Sequence, residues 1–215
     1  MKKIFLILLL TLTFNCAFAD SPLTSTSFYK AYLDIPLVNK ASKSKGILTD
    51  EGFDYLNYKA NSIDKKIALI NGLKWDIKGK NNATLYFKKL LLTHKEYTPT
   101  NFYNEGTAEE LICYSYLKAM DNYFDVKEAI IFSNRAAKLN PNSYTIAVIN
   151  QLIKTQSLSQ NEWCEVYNKM NTIKENKKLI VDFRKKASDI IFSYTDAYKG
   201  YCSFRHSVIR FIKGI

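Results

Sequence analysis

The amino-acid sequence predicts an all-α fold. Apolar residues recur three and four positions apart along most of the chain, as in an amphipathic helix, and no stretch alternates with a period of two. Seven glycines and four prolines among 215 residues are few for a turn-rich β-sandwich or barrel. A hydrophobic content of 47% is typical of a folded domain. We therefore expect eight or nine short antiparallel helices joined by short loops.

Three of these helices begin with a strong capping signal. Thr107, Asp125 and Ser159 are each followed three residues later by a glutamate and then by an apolar run of helical period. In such a pair the first side chain accepts from a free amide of the first turn, and the glutamate reaches back to the amide of the cap. Weaker starts predict further helices at 49–59, 62–72, 82–95, 143–155, 177–199 and 203–213.

Residues 1–19 have the features of a secretory signal peptide. Two lysines precede an apolar run at positions 4–14, and Ala17-Phe18-Ala19 places small residues where a signal peptidase recognises them. The run is shorter than the about 20 apolar residues that span a bilayer. We expect cleavage between Ala19 and Asp20, so the mature protein is periplasmic or secreted.

A lipoprotein cleavage before Cys16 is the rival interpretation. That cleavage needs a small residue immediately upstream and usually a leucine two positions further back, and Asn15 and Thr13 match neither. Ordinary cleavage is therefore preferred. It divides the chain into the signal peptide, an N-terminal extension at 20–48 that is partly loop, and a single all-helical domain at 49–215.

The chain is basic, with a formal net charge of +11, and cleavage removes two lysines and no acidic residue to leave +9. A basic cytoplasmic protein would suggest nucleic acid as a partner, but export argues against it, and no nucleic-acid partner is expected. The anionic surfaces of a cell envelope are lipid head groups, wall polymers and acidic proteins. Because the lysines are scattered along the chain, solvation of outer helix faces is the simpler explanation.

Three cysteines remain after cleavage, and an oxidising compartment permits a disulfide between two of them. Cys164 and Cys202 flank the last long helical stretch, and each lies beside an aromatic residue. We predict that they pair, and that Cys113 is a buried free thiol on an apolar helical stripe. No cysteine or histidine spacing resembles a zinc site, and no metal or cofactor is expected.

No catalytic set is recognised, so the sequence does not predict an enzyme. Glu109 and Glu110 invite comparison with the acid of a cell-wall lyase, but the cap at Thr107 accounts for Glu110. His94 and His206 are isolated in the sequence and are interpreted as surface or capping residues. No Gly-rich phosphate loop, nucleophile elbow or zinc-protease helix occurs.

Residues 108–143 resemble a tetratricopeptide repeat, a helix-turn-helix unit of about 34 residues. Ala129, Ala136 and Pro141 match its two small packing positions and its turn proline. Ser133 departs from the pattern, because the family usually has an aromatic residue there. The resemblance implies a right-handed stack of antiparallel helical hairpins that binds a protein or peptide, or an irregular helical bundle that contains one such hairpin.

The segment around Pro99 is a candidate binding rim. Tyr97, Phe102 and Tyr103 lie there in a stretch with the features of an exposed loop, and aromatic side chains suit contacts with proteins. The basic closing helix at 203–213 has an apolar side, which favours capping of the helical stack over contact with a membrane surface.

These observations favour an exported helical-repeat protein that holds a protein or peptide partner, with an inhibitor or immunity-type protein as its most specific form. Two alternatives stay open. One is a cell-wall-active enzyme with an unrecognised acidic site, and the other is an envelope structural protein that binds anionic polymer. The sequence does not identify the partner or the oligomeric state.

Overall fold

The structure is a computed structural model and describes residues 21–158 and 162–203. Within those ranges the regular structure is helical apart from one isolated β-bridge, which confirms the all-α prediction. The predicted signal peptide with its cleavage at Ala19 and Asp20, the Ser159 cap and the closing helix beyond position 203 lie outside the described residues. No helix of the described ranges is long and apolar enough to cross a membrane.

The described helices follow one another with short connections. In chain order the elements are α1 (Pro22–Ser25), the 3-10 helix η1 (Phe28–Tyr32), α2 (Pro36–Ser42), α3 (Asp50–Asn57), α4 (Ile63–Gly72), α5 (Asn82–Thr93), α6 (Phe102–Glu105), α7 (Ala108–Asp121), α8 (Lys127–Leu139), α9 (Tyr144–Thr155), α10 (Trp163–Lys174), α11 (Lys185–Asp196) and the 3-10 helix η2 (Ala197–Lys199).

Helices that are consecutive in the chain pack side by side from α7 to α11. Helix α11 then returns against η1 and α1, and α9 also contacts α1 and α4. Consecutive packing is what a stack of hairpins requires, whereas the return to the N-terminal segment is a feature of a bundle. The packing order therefore accommodates both architectures that the sequence allows.

Residues 21–48, which the sequence analysis separates from the helical domain, belong to the same core as the later helices. Leu23, Phe28 and Tyr32 are fully buried in that core. The Phe28 ring packs edge-on against Phe183, with their centroids 5.5 Å apart. This segment therefore joins the beginning and the end of the described chain.

Arg184 makes the polar part of the same junction. Its guanidinium donates to both carboxylate oxygens of Asp34, at 2.6 and 3.0 Å, and to the carbonyl of Ala31 at 2.9 Å. It also lies over the Tyr32 ring, 4.4 Å from the centroid. A planar guanidinium can make a two-pronged bond and a stacking contact together, whereas lysine cannot. The hydrogen bond from Arg184 holds the pKa of the Asp34 carboxyl below its usual value.

Asn71 satisfies three polar groups at the centre of the fold. Its amide nitrogen donates to the Thr26 carbonyl at 3.1 Å and to the Tyr116 hydroxyl at 2.9 Å. Its amide oxygen accepts from the Tyr29 amide at 2.9 Å. Because Asn71 is 4% exposed, water does not replace these bonds easily. One side chain therefore fixes the N-terminal segment to both α4 and α7.

The three predicted caps have different outcomes. The Thr107 capping box is confirmed, with both reciprocal bonds to Glu110 present. Helix α8 begins later than predicted, with Val126 rather than Asp125 at the cap position and no side-chain cap bond. The glutamate of this predicted cap has other partners: Glu128 accepts from the hydroxyl of Tyr114 at 2.6 Å and pairs with Lys118 at 2.9 Å.

Carboxylates distant in the sequence also cap two helices, α5 and α9, the second in addition to its own Ser143 cap. Asp121 of α7 accepts from the Ala83 amide in the first turn of α5 at 2.7 Å. Asp182 accepts from the Thr145 amide in the first turn of α9 at 2.7 Å and from the Ser143 hydroxyl at 2.5 Å. A carboxylate at a helix N-terminus satisfies free amides and favours the helix dipole.

The predicted helix over 177–199 is wrong in its first third, because α11 begins only at Lys185. Ile180 lies in extended backbone, where its amide donates to the Asn142 carbonyl at 2.8 Å and its carbonyl accepts from the Tyr144 amide at 3.2 Å. The pairing with residues 142–144 and the cap that Asp182 provides for α9 both need this extended backbone. These tertiary contacts therefore outweigh the local helical spacing.

Cys164 and Cys202 form a disulfide, as predicted, with their Cα atoms 4.8 Å apart. The bond joins the first turn of α10 to the residues that follow η2. A link across 38 positions stabilises a fold by about 4 kcal/mol if the loss of unfolded-chain entropy is its main effect. Cys113 is free and fully buried in α7, and burial raises the pKa of its thiol to about 12.

We predict that Asn71→Ala lowers the free energy of unfolding by about 3 kcal/mol, because it leaves two buried groups and one partly buried amide without their partner. Denaturant unfolding followed by circular dichroism measures the change. Asn104→Ala is the matched control, since Asn104 is exposed, and it should shift stability by less than about 0.5 kcal/mol. Equal effects of the two substitutions would contradict the central role of Asn71.

We predict one reactive thiol per mature chain after denaturation without reductant, and none in the native state within minutes. Cys113 is then the reactive group, and its burial protects it when the chain is folded. A thiol titration before and after reduction checks this, with Cys113→Ala as the control that should give none. Three thiols before reduction would show that Cys164 and Cys202 are not bonded.

Candidate functional site

A cleft of about 650 Å³ is formed by four parts of the described chain. It lies between the end of α3, the connection after α5, the start of α7 and the end of α8. Polar and apolar residues line it together, namely Leu56, Asn57, Lys59, Lys66, His94, Glu96, Tyr97, Thr107, Ala108, Glu109, Glu110, Leu139 and Asn140. The cleft therefore gathers His94, Glu109 and Glu110, which are candidate acid and base groups in the sequence.

Glu110 is held by several donors at once. Its Oε2 accepts from the Thr107 amide at 2.9 Å, from the Thr107 hydroxyl at 2.8 Å and from the Tyr97 hydroxyl at 2.8 Å. His94 Nε2 lies 3.4 Å from the other oxygen. The capping box places Glu110 in this position, so its geometry follows from the start of α7. Most lone pairs of the Glu110 carboxylate therefore accept hydrogen bonds within the protein, and few remain to bind a substrate.

Glu109 forms an ion pair with a buried lysine. Lys66 Nζ lies 2.5 Å from Glu109 Oε2, and the Lys66 side chain is only 3% exposed, against 44% for Glu109. A buried ammonium is costly unless it is paired, so Glu109 compensates a charge that α4 brings into the core. The spacing from Ile63 to Lys66 to Ile70 places this lysine on the apolar side of α4, a signal that the sequence analysis did not use.

His94 and Tyr97 form a stacked pair at the cleft. Their ring centroids are 4.9 Å apart and the rings are nearly parallel. His94 Nδ1 lies 3.1 Å from Glu96 Oε1. The backbone of Glu96 and this contact with His94 lower the pKa of Glu96, while burial and the bond to Glu110 raise the pKa of Tyr97. The histidine therefore lies between two carboxylates rather than beside a nucleophile.

The lining groups that stay available to a ligand are at the sides of the cleft. Lys59 and the Asn140 side chain have no partner among the described residues, and Leu139 is 43% exposed. One cation, one amide and one apolar side chain are therefore free to contact a ligand. The arrangement suits binding better than proton transfer, because both glutamates are already engaged.

The exposure predicted for the aromatic residues at 97–103 is wrong for two of the three, whereas their contact with a partner stays a prediction. Phe102 is 1% exposed and Tyr97 is 8% exposed, so both belong to the core. Phe102 is buried because it packs on Phe87, Tyr114 and Phe132. Tyr103 alone is on the surface, at 36% exposure, where Arg135 lies 6.0 Å above its ring. Tyr97 nevertheless lines the cleft.

The repeat-like hairpin has the close packing that its small residues allow. Ala129 and Ala136 are fully buried, and Ser115 of α7 donates to the backbone carbonyl of Ala129 at 2.7 Å. Ser133, where an aromatic residue is usual in the repeat, is fully buried and donates to the side-chain oxygen of Asn150 at 2.9 Å. The departure at Ser133 is therefore accommodated by a polar contact with α9.

Comparison with known proteins gave no match to a family model, to a curated protein or to a solved structure. The resemblance to a tetratricopeptide repeat therefore depends on residues 108–143 alone. No group of three or more His, Cys, Asp or Glu in the described ranges is arranged to hold a metal ion.

We predict that Glu109→Ala lowers the free energy of unfolding by about 2 kcal/mol, because it leaves the buried Lys66 ammonium without its partner. The value lies below that of a fully buried pair because Glu109 is partly exposed. Lys66→Met combined with Glu109→Ala should recover most of the loss. Denaturant unfolding of the two single variants and the double variant gives the coupling energy. A double variant that is less stable than either single variant would show that the pair is not the cause.

Proposed function

We propose that this chain is an exported helical binding protein that holds a segment of a protein or peptide partner in the cleft beside α7. The observation that carries the proposal is the state of the two cleft glutamates. Glu110 accepts three hydrogen bonds on one oxygen, and Glu109 compensates a buried lysine. Neither carboxylate is arranged as a proton donor or acceptor for a substrate, whereas the cleft has the volume for several side chains.

The expected location of the protein outside the cytoplasm supports the same proposal. The signal peptide at 1–19 is a sequence-based expectation, and the disulfide between Cys164 and Cys202 is compatible with an oxidising compartment such as the periplasm. Within this class, an inhibitor or immunity-type protein that neutralises an envelope-acting toxin is the most specific form we propose. Such a protein needs a rigid surface and no reaction of its own.

Affinity capture from envelope extract tests the proposal. We expect the wild-type protein to retain a stoichiometric partner and Leu139→Arg to reduce its recovery at least tenfold, because the substitution places a charge on the exposed apolar side of the cleft. Ile77→Arg is the matched control, since Ile77 is equally apolar, is 62% exposed and lies outside the cleft. Failure to recover any stoichiometric partner, or equal loss with both variants, would overturn the proposal.

The meeting of His94, Glu109 and Glu110 in one cleft favours a cell-wall-active enzyme as the second candidate. Incubation with peptidoglycan, followed by analysis of released fragments, distinguishes the two. Lys66→Met combined with Glu109→Gln removes the acid without leaving an unpaired buried charge. Fragment release that this double variant abolishes would favour the enzyme over the binding protein. An envelope structural protein that binds anionic polymer is the third candidate, and its binding should weaken with salt.

A further inference from the structure

A second surface lies at residues 179–183, which come later in the chain than the residues that line the cleft. In this 179–183 segment the backbone of Ile180 is extended and forms a single parallel bridge with residues 142–144, and Asp182 accepts from the Ser143 hydroxyl and the Thr145 amide. Ile180 is 65% exposed and Val181 is 78% exposed, so two branched apolar side chains are held on the surface. The segment thus has the features of a very short edge strand.

The outer edge of this segment is unpaired. Both backbone groups of Ile180 point to residues 142–144, so the groups of Val181 point the other way, because amides alternate in direction along extended backbone. The Val181 N–H and C=O have no hydrogen-bond partner in the ranges 21–158 and 162–203. Another extended chain could receive two backbone hydrogen bonds there.

Beside this edge is a hollow of about 240 Å³. Leu179, Val181 and Phe183 line it together with Tyr144, as expected for alternate residues whose side chains share one face. The rest of the lining contains three lysines and no carboxylate: Lys174, Asn176, Lys177, Lys185 and Ser188. The hollow therefore combines an apolar floor with a positive rim.

The lysines of the rim can still bind a negatively charged ligand. Lys177 is exposed and has no ion-pair partner within the described part of the chain. Lys174 and Lys185 pair with Asp196 and Asp189, but both pairs are solvent-exposed and therefore contribute little. A carboxylate from a ligand can join or replace such contacts at small cost.

We propose that the 179–183 segment binds an acidic peptide in extended conformation. The peptide adds one strand by pairing with the N–H and C=O of Val181, places an apolar side chain in the hollow, and directs its carboxylates to Lys174, Lys177 and Lys185. This is strand addition with pockets for alternate side chains. Charge complementarity selects the occupant, because a basic segment such as residues 204–215 of this chain would be repelled by the rim.

The test uses the purified mature protein and a blocked synthetic peptide in which valine alternates with glutamate. We expect saturable binding, and we expect the Val181 amide to exchange with solvent at least tenfold more slowly when the peptide is bound. Lys177→Glu should weaken binding at least tenfold. Lys178→Glu makes the same charge change on the neighbouring residue outside the hollow and should weaken it less than threefold.

Val181→Pro removes the donor and keeps the preceding residue in its extended conformation, so it should weaken binding at least fivefold without loss of helical circular dichroism. Absence of binding at millimolar peptide would overturn the proposal. So would equal binding of the peptide with lysine in place of glutamate, or binding without protection of the Val181 amide. Binding that polyphosphate matches and that Val181→Pro leaves unchanged would show a purely electrostatic surface and overturn it too. Leu139→Arg should leave peptide binding intact, which separates this site from the cleft.

Discussion

Helix α7 lies buried at the centre of the structure, and the other helices pack around it and provide partners for its polar side chains. Ten consecutive or nearly consecutive side chains from Leu111 to Asp121 are buried, so the helix has no solvent face over most of its length. Helices α3, α4, α5, α8 and α9 all contact it. A helix enclosed in this way needs a partner for every polar side chain that it carries.

Those partners account for much of the architecture. Tyr116 accepts from Asn71, Ser115 donates to the Ala129 carbonyl, and Tyr114 donates to Glu128. The first contact ties α7 to α4 and the other two tie it to α8, and Asn71 extends the connection to the N-terminal segment. The start of the same helix provides Glu109 and Glu110, so the cleft is built from the one end of α7 that reaches solvent. The candidate site and the core therefore depend on the same element.

Local signals predicted the helices because their causes are local. The Thr107 cap, the apolar spacing of α4, α5 and α9, and the scarcity of glycine and proline act over a few residues, and the helices at 49–59, 62–72, 82–95 and 143–155 formed within a few positions of their predicted bounds. The site was less predictable. The cleft brings His94, Lys66 and Glu109 together from three separate segments, and Lys66 needs Glu109 only because tertiary packing buries it.

The sequence by itself determined the helical class and the position of most helices, because both follow from local spacing, and it favoured the pairing of Cys164 with Cys202 that the structure shows. Tertiary structure alone decided that residues 177–184 are not helical and that Asp121 and Asp182 cap helices far along the chain. It also decided that Tyr97 and Phe102 are buried while Val181 is exposed. The physical reason is that a buried amide or charge must find a partner wherever the fold places one, and that requirement outweighs local preference.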